Sequence, residues 1–144
     1  MTTVAFHTDV TDKVRYTYRL ARKAVGQGLR VCIAGQEGDL DLLDQALWTF
    51  SPLEFLPHCT PVAPSPMRQA SAVLLTEAVQ ADWHRQVLIN LGESVPDGFD
   101  AFERIIDVVT LDDLHRAQGR ERWREYTRLG HELVRHDLQQ ASTT

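Results

Sequence analysis

The sequence is short of cysteine, nearly devoid of lysine and without any long apolar run, and each shortage narrows what the chain can be. Its two cysteines, Cys32 and Cys59, form neither a CxxC pair nor a ligand cluster. That argues against a disulfide framework or a thiolate metal site and suits a reducing cytoplasm. No stretch approaches the roughly 18 apolar residues of a membrane span. The opening "MTTVAFHTDVTDK" has no basic start followed by an apolar block, so no secretory signal is expected in it. Net positive charge is lacking too: the chain carries −5 with a pI near 5.6, whereas a self-sufficient nucleic-acid-binding domain usually has a pI above about 9.

Signatures of catalysis and cofactor binding are also missing. No GxxxxGK[ST] occurs, and Gly26 and Gly28 precede a predicted strand instead of following one, which breaks the dinucleotide fingerprint. The "GQEGDLDLLD" loop (35–44) has a geometry suited to phosphate. However, its Glu37, Asp39, Asp41 and Asp44, with no Lys or Arg, repel a polyphosphate. "GESVP" lacks the last glycine of a nucleophile elbow. In "HELVRH" (131–136) the residue four after His131 is Arg135, and on a helix His136 lies about 140° round from His131, so no zinc pair forms. Asp112 and Asp113 are explained by a helix N-terminus, which favours negative charge. No catalytic residue, metal or cofactor is expected.

What is present is the pattern of an α/β protein. "TVAFHT" (3–8) reads as a strand, and Thr11 and Asp12 are N-cap candidates for a helix to about Val25, with Val14, Tyr18, Ala21 and Val25 as its buried stripe. "LRVCIA" (29–34) reads as a central strand buried on both faces. "DLDLLDQALWTF" (39–50) reads as a second helix with Leu40, Leu43 and Leu47 inward. Five of the six prolines fall between Ser51 and Ser71, which predicts one long connection, mobile near 64–71, holding only a short strand at "EFL". Three more strands are predicted at 71–78, 85–91 and 103–109, then a final helix from Leu111 to about Leu138. Strand and helix alternation implies a three-layer, mostly parallel sheet with helices on both faces. The expectation is one domain over 1–138 and a flexible polar tail over 139–144.

One segment breaks the acidic pattern. "RAQGRERWREYTR" (116–128) carries five arginines against Glu121 and Glu125, a balance of +3 that leaves −8 for the remainder. At about 100° per residue, Arg116, Arg120 and Arg124 fall near 0°, 40° and 80°, with Arg128 next at about 120°. Tyr126, Leu129 and Leu133 cluster on the opposite side, Trp123 sits at the border, and Arg122 projects into the apolar sector, where internal pairing is expected. Three readings of the stripe stand together: a solvated face relieved by i, i+3 Glu–Arg pairs, a phosphate-binding surface, and a pocket for an acidic peptide, in particular a C-terminal carboxylate held by arginine forks beside Trp123. A small cationic patch on an acidic body suits the third best. A second feature, "LWTFSPLEFLPH" (47–58), concentrates aromatics beside prolines and reads as core closure or as an apolar docking surface.

Taken in order, "LLDQALWTFSPLEFLPH" (42–58), "RQVLINL" (85–91), "IIDVV" (105–109) and "RERWREYTRLG" (120–130) resemble the chi subunit family of bacterial DNA polymerase III over essentially the whole chain. The resemblance implies a Rossmann-like α/β fold without a phosphate-binding loop. It implies a noncatalytic accessory subunit, classed as a DNA-directed DNA polymerase only as part of the holoenzyme. Its implied partners are the psi subunit, in a heterodimer that joins the clamp-loader complex, and the acidic C-terminal tail of single-stranded DNA-binding protein, with DNA reached only indirectly and no membrane involved. Carried over by position, Arg116, Arg120, Trp123 and Arg124 are expected to receive the tail. Trp48, Phe50, Phe55, Leu56 and Pro57 are expected to meet psi. Gly119, inside the basic helix at a cost of up to about 1 kcal/mol relative to Ala, is expected to loosen the pocket locally. The rival reading is a small α/β nucleotide-binding protein or enzyme that uses the 35–44 loop.

Overall fold

The structure, a computed structural model, describes residues 2–49, 56–80 and 83–138. The strands are β1 (Thr3–Val10), β2 (Val31–Ala34), β3 (His58–Cys59), β4 (Val73–Thr76), β5 (Val87–Asn90), β6 (Arg104–Thr110) and β7 (Leu133–Asp137). The helices are α1 (Lys13–Gly26), α2 (Glu37–Thr49), α3 (Ser65–Ala70) and α4 (Asp113–Arg128), with a 3-10 turn at Phe99–Ala101. All seven strands join one sheet in the order β3-β4-β2-β5-β6-β1-β7. Every pairing is parallel, so the sheet is wholly parallel where a mostly parallel one is expected from the sequence.

A parallel sheet must be covered on both faces, and the two-residue period of the strands supplies an apolar set to each. Val31 and Ile33 of β2 pack with Val73, Leu75, Val87 and Ile89 under Tyr18 and Ala21 of α1 and Leu40, Leu43 and Leu47 of α2. Cys32 and Ala34 face the other way, with Leu74, Leu88, Ile105 and Phe6 under Tyr126 and Trp123 of α4. This gives three layers. Both cysteines are buried free thiols, and burial pushes the Cys32 thiol up to about 12, which leaves it inert as a nucleophile. Asp12 caps α1 by accepting from the Arg15 amide at 3.1 Å. Asp112 caps α4 by accepting from the His115 amide at 3.1 Å.

Two expectations about elements are corrected. The final helix predicted over 111–138 is a helix and then a strand. After Leu129 the chain turns through Gly130 at φ +91°, Gly130 N–H bonds the Thr127 carbonyl, and His131 N–H bonds that of Tyr126. These two bonds close a Schellman motif. The next segment, "LVRHD", leaves the helix path and pairs with β1 at the sheet edge, Phe6 opposite Arg135 and His7 opposite His136. "HELVRH" is therefore not helical; the His131 ring packs edge-on against Phe99 and the His136 ring against His7.

Within the proline-rich connection, where only a strand is expected, 65–70 is helical. Pro64 stands at the N-cap and Pro66 in the first turn, where a missing N–H costs nothing. Most of the "EFL" strand predicted at 54–56 lies outside the described residues, as do Phe50, Phe55 and the tail over 139–144; Leu56 is not in a strand, and pairing begins at His58. Among the described residues no helix is long and apolar enough to cross a membrane.

Candidate functional site

The sheet positions α4 by close contact. A Cβ on Gly119 would lie 3.0 Å and 3.2 Å from the two methyls of Val109 on β6. Glycine therefore lets helix and strand approach, and α4 runs through it unbroken from Asp113 to Arg128. The loosening expected at Gly119 is corrected to a tight seat.

That seat sorts the five arginines. Arg122 points inward and is 3% exposed, beside Asp107 of β6, which is fully buried. Its Nε donates to the Asp107 carboxylate at 2.9 Å and 3.1 Å, and Nη2 adds a bond of 2.9 Å. Nη1 donates to the Glu93 carbonyl at 3.0 Å, while Asn90 and the Tyr126 hydroxyl donate to Asp107 at 3.1 Å and 3.4 Å. Burial pushes the Asp107 carboxyl up from its ordinary value, and the charge and hydrogen bonds of Arg122 pull against it. The internal pairing expected of Arg122 is thus present.

The outward side of α4 forms one wall of an open groove of about 520 Å³, lined by Arg116, Arg120, Trp123 and Arg124 together with Phe6 and Arg135. All four residues assigned to the tail therefore border a single concavity. Trp123 is set by an edge-to-face contact with Phe6, ring centroids 5.1 Å apart. Arg116 donates to Asp9 at 2.8 Å. Asp9 adopts φ +61° where the β1–β6 register shifts; its hydrogen bond with Asp137, and then Arg116, hold its carboxyl below the usual range. Arg124 pairs with Glu121 and Arg128 with Glu125 on the helix surface. Arg120 is exposed and has no ion-pair partner among the described residues.

Sequence reasoning misses Phe6, Asp9 and Arg135 as parts of this site. It places Arg135 on a continuing helix, and the stop at Gly130 is the signal that could redirect it. Phe6 and Asp9 belong to β1, more than a hundred residues away in sequence, and only the parallel pairing brings them in.

The second assigned surface is only partly described. Trp48 lies near the end of α2 and is 59% exposed, with its ring edge-on to His58 at 5.3 Å. The buried His58 ring lies 2.8 Å from the Leu56 carbonyl and 2.9 Å from the Asp44 carboxylate. Pro57 is exposed and Leu56 is buried in the α1–α2 core layer. Leu56 is thus a packing residue in this chain, while Trp48 and Pro57 present surface. Phe50 and Phe55 lie outside the described residues.

Of the 35–44 stretch read as a loop, only Gly35 and Gln36 precede α2 and the rest is its first turns; the stretch borders an open groove of about 640 Å³ whose charged lining is Glu37, Asp41, Asp44 and Glu77. Nearby Lys13 is held by Asp39 at 2.7 Å. An all-acidic lining repels a polyphosphate, which disfavours the nucleotide reading. Among the described residues no group of His, Cys, Asp or Glu is arranged to hold a metal ion.

Comparison with known proteins finds that the family described as "DNA polymerase III chi subunit, HolC" matches residues 1–134. The chain is 31% identical over 143 residues to the DNA polymerase III subunit chi of Pseudomonas aeruginosa, covering 96% of this chain and 98% of the relative. The subunit chi of Escherichia coli is 31% identical over 107 residues, 74% of this chain and 72% of that one. The subunit chi of Haemophilus influenzae is 31% identical over 90 residues, 58% of this chain and 57% of that one.

Proposed function

The chain belongs to the DNA polymerase III chi subunit family, and from that premise we propose that it is a noncatalytic cytoplasmic adaptor in DNA replication, holding two protein partners at once. One is the psi subunit, met by the surface around Trp48, Phe50, Phe55 and Pro57 in a heterodimer that joins the clamp-loader complex. The other is the acidic C-terminal tail of single-stranded DNA-binding protein, received by Arg116, Arg120, Trp123 and Arg124. DNA is then reached only through that partner. Tethering two partners raises the effective concentration of each at the other without new chemistry.

The observation that carries the tail assignment is Arg120. It stands exposed without an ion-pair partner among the described residues, in a groove whose lining also includes Phe6, Val109 and Trp123. A guanidinium with its donors unspent matches a carboxylate in fork geometry, and an apolar side chain fits against the aromatics. Fluorescence anisotropy with a labelled acidic, phenylalanine-terminated peptide tests the assignment. Arg120→Ala is expected to weaken binding about 10- to 100-fold, the range for a lost hydrogen bond to a charged group. Unchanged affinity, or displacement of the peptide by single-stranded or duplex DNA, overturns it.

A further inference from the structure

The strand that replaces the end of the expected helix adds a cation to the opposite wall of the groove. β7 lies at the sheet edge, and Arg135 pairs in register with Phe6. Directly paired residues of neighbouring strands share a sheet face, and Phe6 packs against Trp123 of α4. Arg135 therefore stands on the α4 side and lines the same groove as Arg120. Its internal bonds are long: 3.4 Å to the Thr8 hydroxyl and 3.6 Å to Asp137, with the side chain 59% exposed. By contrast Arg116 is committed to Asp9 at 2.8 Å, and Arg124 is engaged by Glu121. The cations most open to an incoming anion thus stand on two walls, Arg120 on the helix and Arg135 on the strand, with Phe6, Val109 and Trp123 also in the lining.

We propose that Arg135 is a specificity-determining residue of this groove, taking a second, side-chain carboxylate of the ligand while Arg120 takes the terminal one. The inference rests on the peptide reading above and adds to it a residue of the strand wall that ranks an acidic tail above other free C-termini. Arg135 is exposed, so its contribution is of the size measured for exposed ion pairs, about three- to fivefold in affinity. That is enough to rank ligands without deciding whether they bind.

Anisotropy titrations on the full chain, with two labelled peptides that share a free C-terminal carboxylate and a terminal Phe, separate the two arginines. One peptide carries aspartates upstream; in the other they are asparagines. Arg135→Ala is expected to weaken the aspartate peptide about three- to fivefold and to leave the asparagine peptide at its wild-type affinity. Arg135→Lys, which keeps the charge, is expected to retain most of the difference, a result that general loosening of β7 does not give. Equal losses for both peptides, or none for either, overturn the proposal while Arg120→Ala still weakens both. If Arg120→Ala also changes neither, the peptide reading of the groove falls with it.

Discussion

Replacing Arg122 by leucine should unfold the protein far more easily than replacing any other arginine of α4. The guanidinium supplies three nitrogen-to-oxygen contacts of 2.9–3.1 Å to Asp107, and its loss leaves a fully buried carboxyl with Asn90 and Tyr126 as its side-chain donors among the described residues. Removing one partner of a buried ion pair costs about 3–5 kcal/mol, because the other charge stays uncompensated. At about 2.1 cal/mol/K of unfolding entropy per residue, a chain of 144 residues loses about 3 °C of Tm per kcal/mol, so Tm should fall by about 10–15 °C.

The deficit has a defined pH direction. In the variant the folded-state pKa of Asp107 lies still further above its unfolded value, so the native state binds the extra proton and the penalty shrinks as pH falls. Urea denaturation at pH 7 and pH 5, with the double variant Asp107→Leu/Arg122→Leu as reference, measures both effects. The double variant should regain most of the loss, since an apolar pair replaces a buried ion pair at little cost. A single-variant loss below about 1 kcal/mol, or one no smaller at pH 5 than at pH 7, would refute the reasoning.

Two further outcomes are expected from the same packing. Gly119→Ala gains up to about 1 kcal/mol of helix propensity, but its Cβ would stand 3.0 Å from a Val109 methyl on a buried, χ1-stiff side chain. A net loss of about 1 kcal/mol is therefore expected by denaturation, within the range of overpacked cores, and a stabilised variant would show that β6 yields. His7 bonds the Tyr16 hydroxyl and stacks edge-on with His136; burial first, then the charges of His136, Arg104 and Lys23, lower its pKa to about 4. Because the folded value lies below the unfolded 6.5, the unfolded chain takes up the proton first, and stability is lost as pH falls from about 6.5 to about 4. Discounted for partial exposure the loss is about 1–2 kcal/mol, and His7→Phe should flatten this part of the stability-against-pH curve relative to wild type.

The fold is legible wherever the signal is local. The "LRVCIA" run alternates its burial between two faces as a doubly covered strand must, and the inward angle of Arg122 on the helical wheel anticipates its buried partner. The final helix is overextended because the apolar spacing of Leu129 and Leu133 mimics a helical stripe. A single glycine in the left-handed region at Gly130 outweighs that spacing. The prolines of the central connection read as breakers, yet Pro64 and Pro66 sit where a helix start tolerates them. Gly130 could take Arg135 off the helix, but the place of Phe6, Asp9 and Arg135 at the groove depends on which strand lies beside β1. The sheet order settles that and no local pattern encodes it.

The distribution of partners among the α4 arginines also bears on why an acidic chain carries this patch at all. A surface that binds DNA through its backbone gains affinity by releasing counterions, one phosphate per available cation, so it does best with many unpaired cations in a broad positive field. Here Arg122 is consumed inside the core, Arg116 is held by Asp9, and Arg124 and Arg128 face Glu121 and Glu125. The remaining chain is negative. Such a surface repels a polyanion at long range and offers a few directed forks at short range. On the reading proposed above, those conditions suit a short ligand whose carboxylates meet Arg120 and Arg135 while an apolar group fills the space beside Trp123. The exposed pairs on Arg124 and Arg128 are weak, because water screens them, so either can be exchanged for a ligand carboxylate, and the binding should weaken with salt far less steeply than a multi-phosphate contact would.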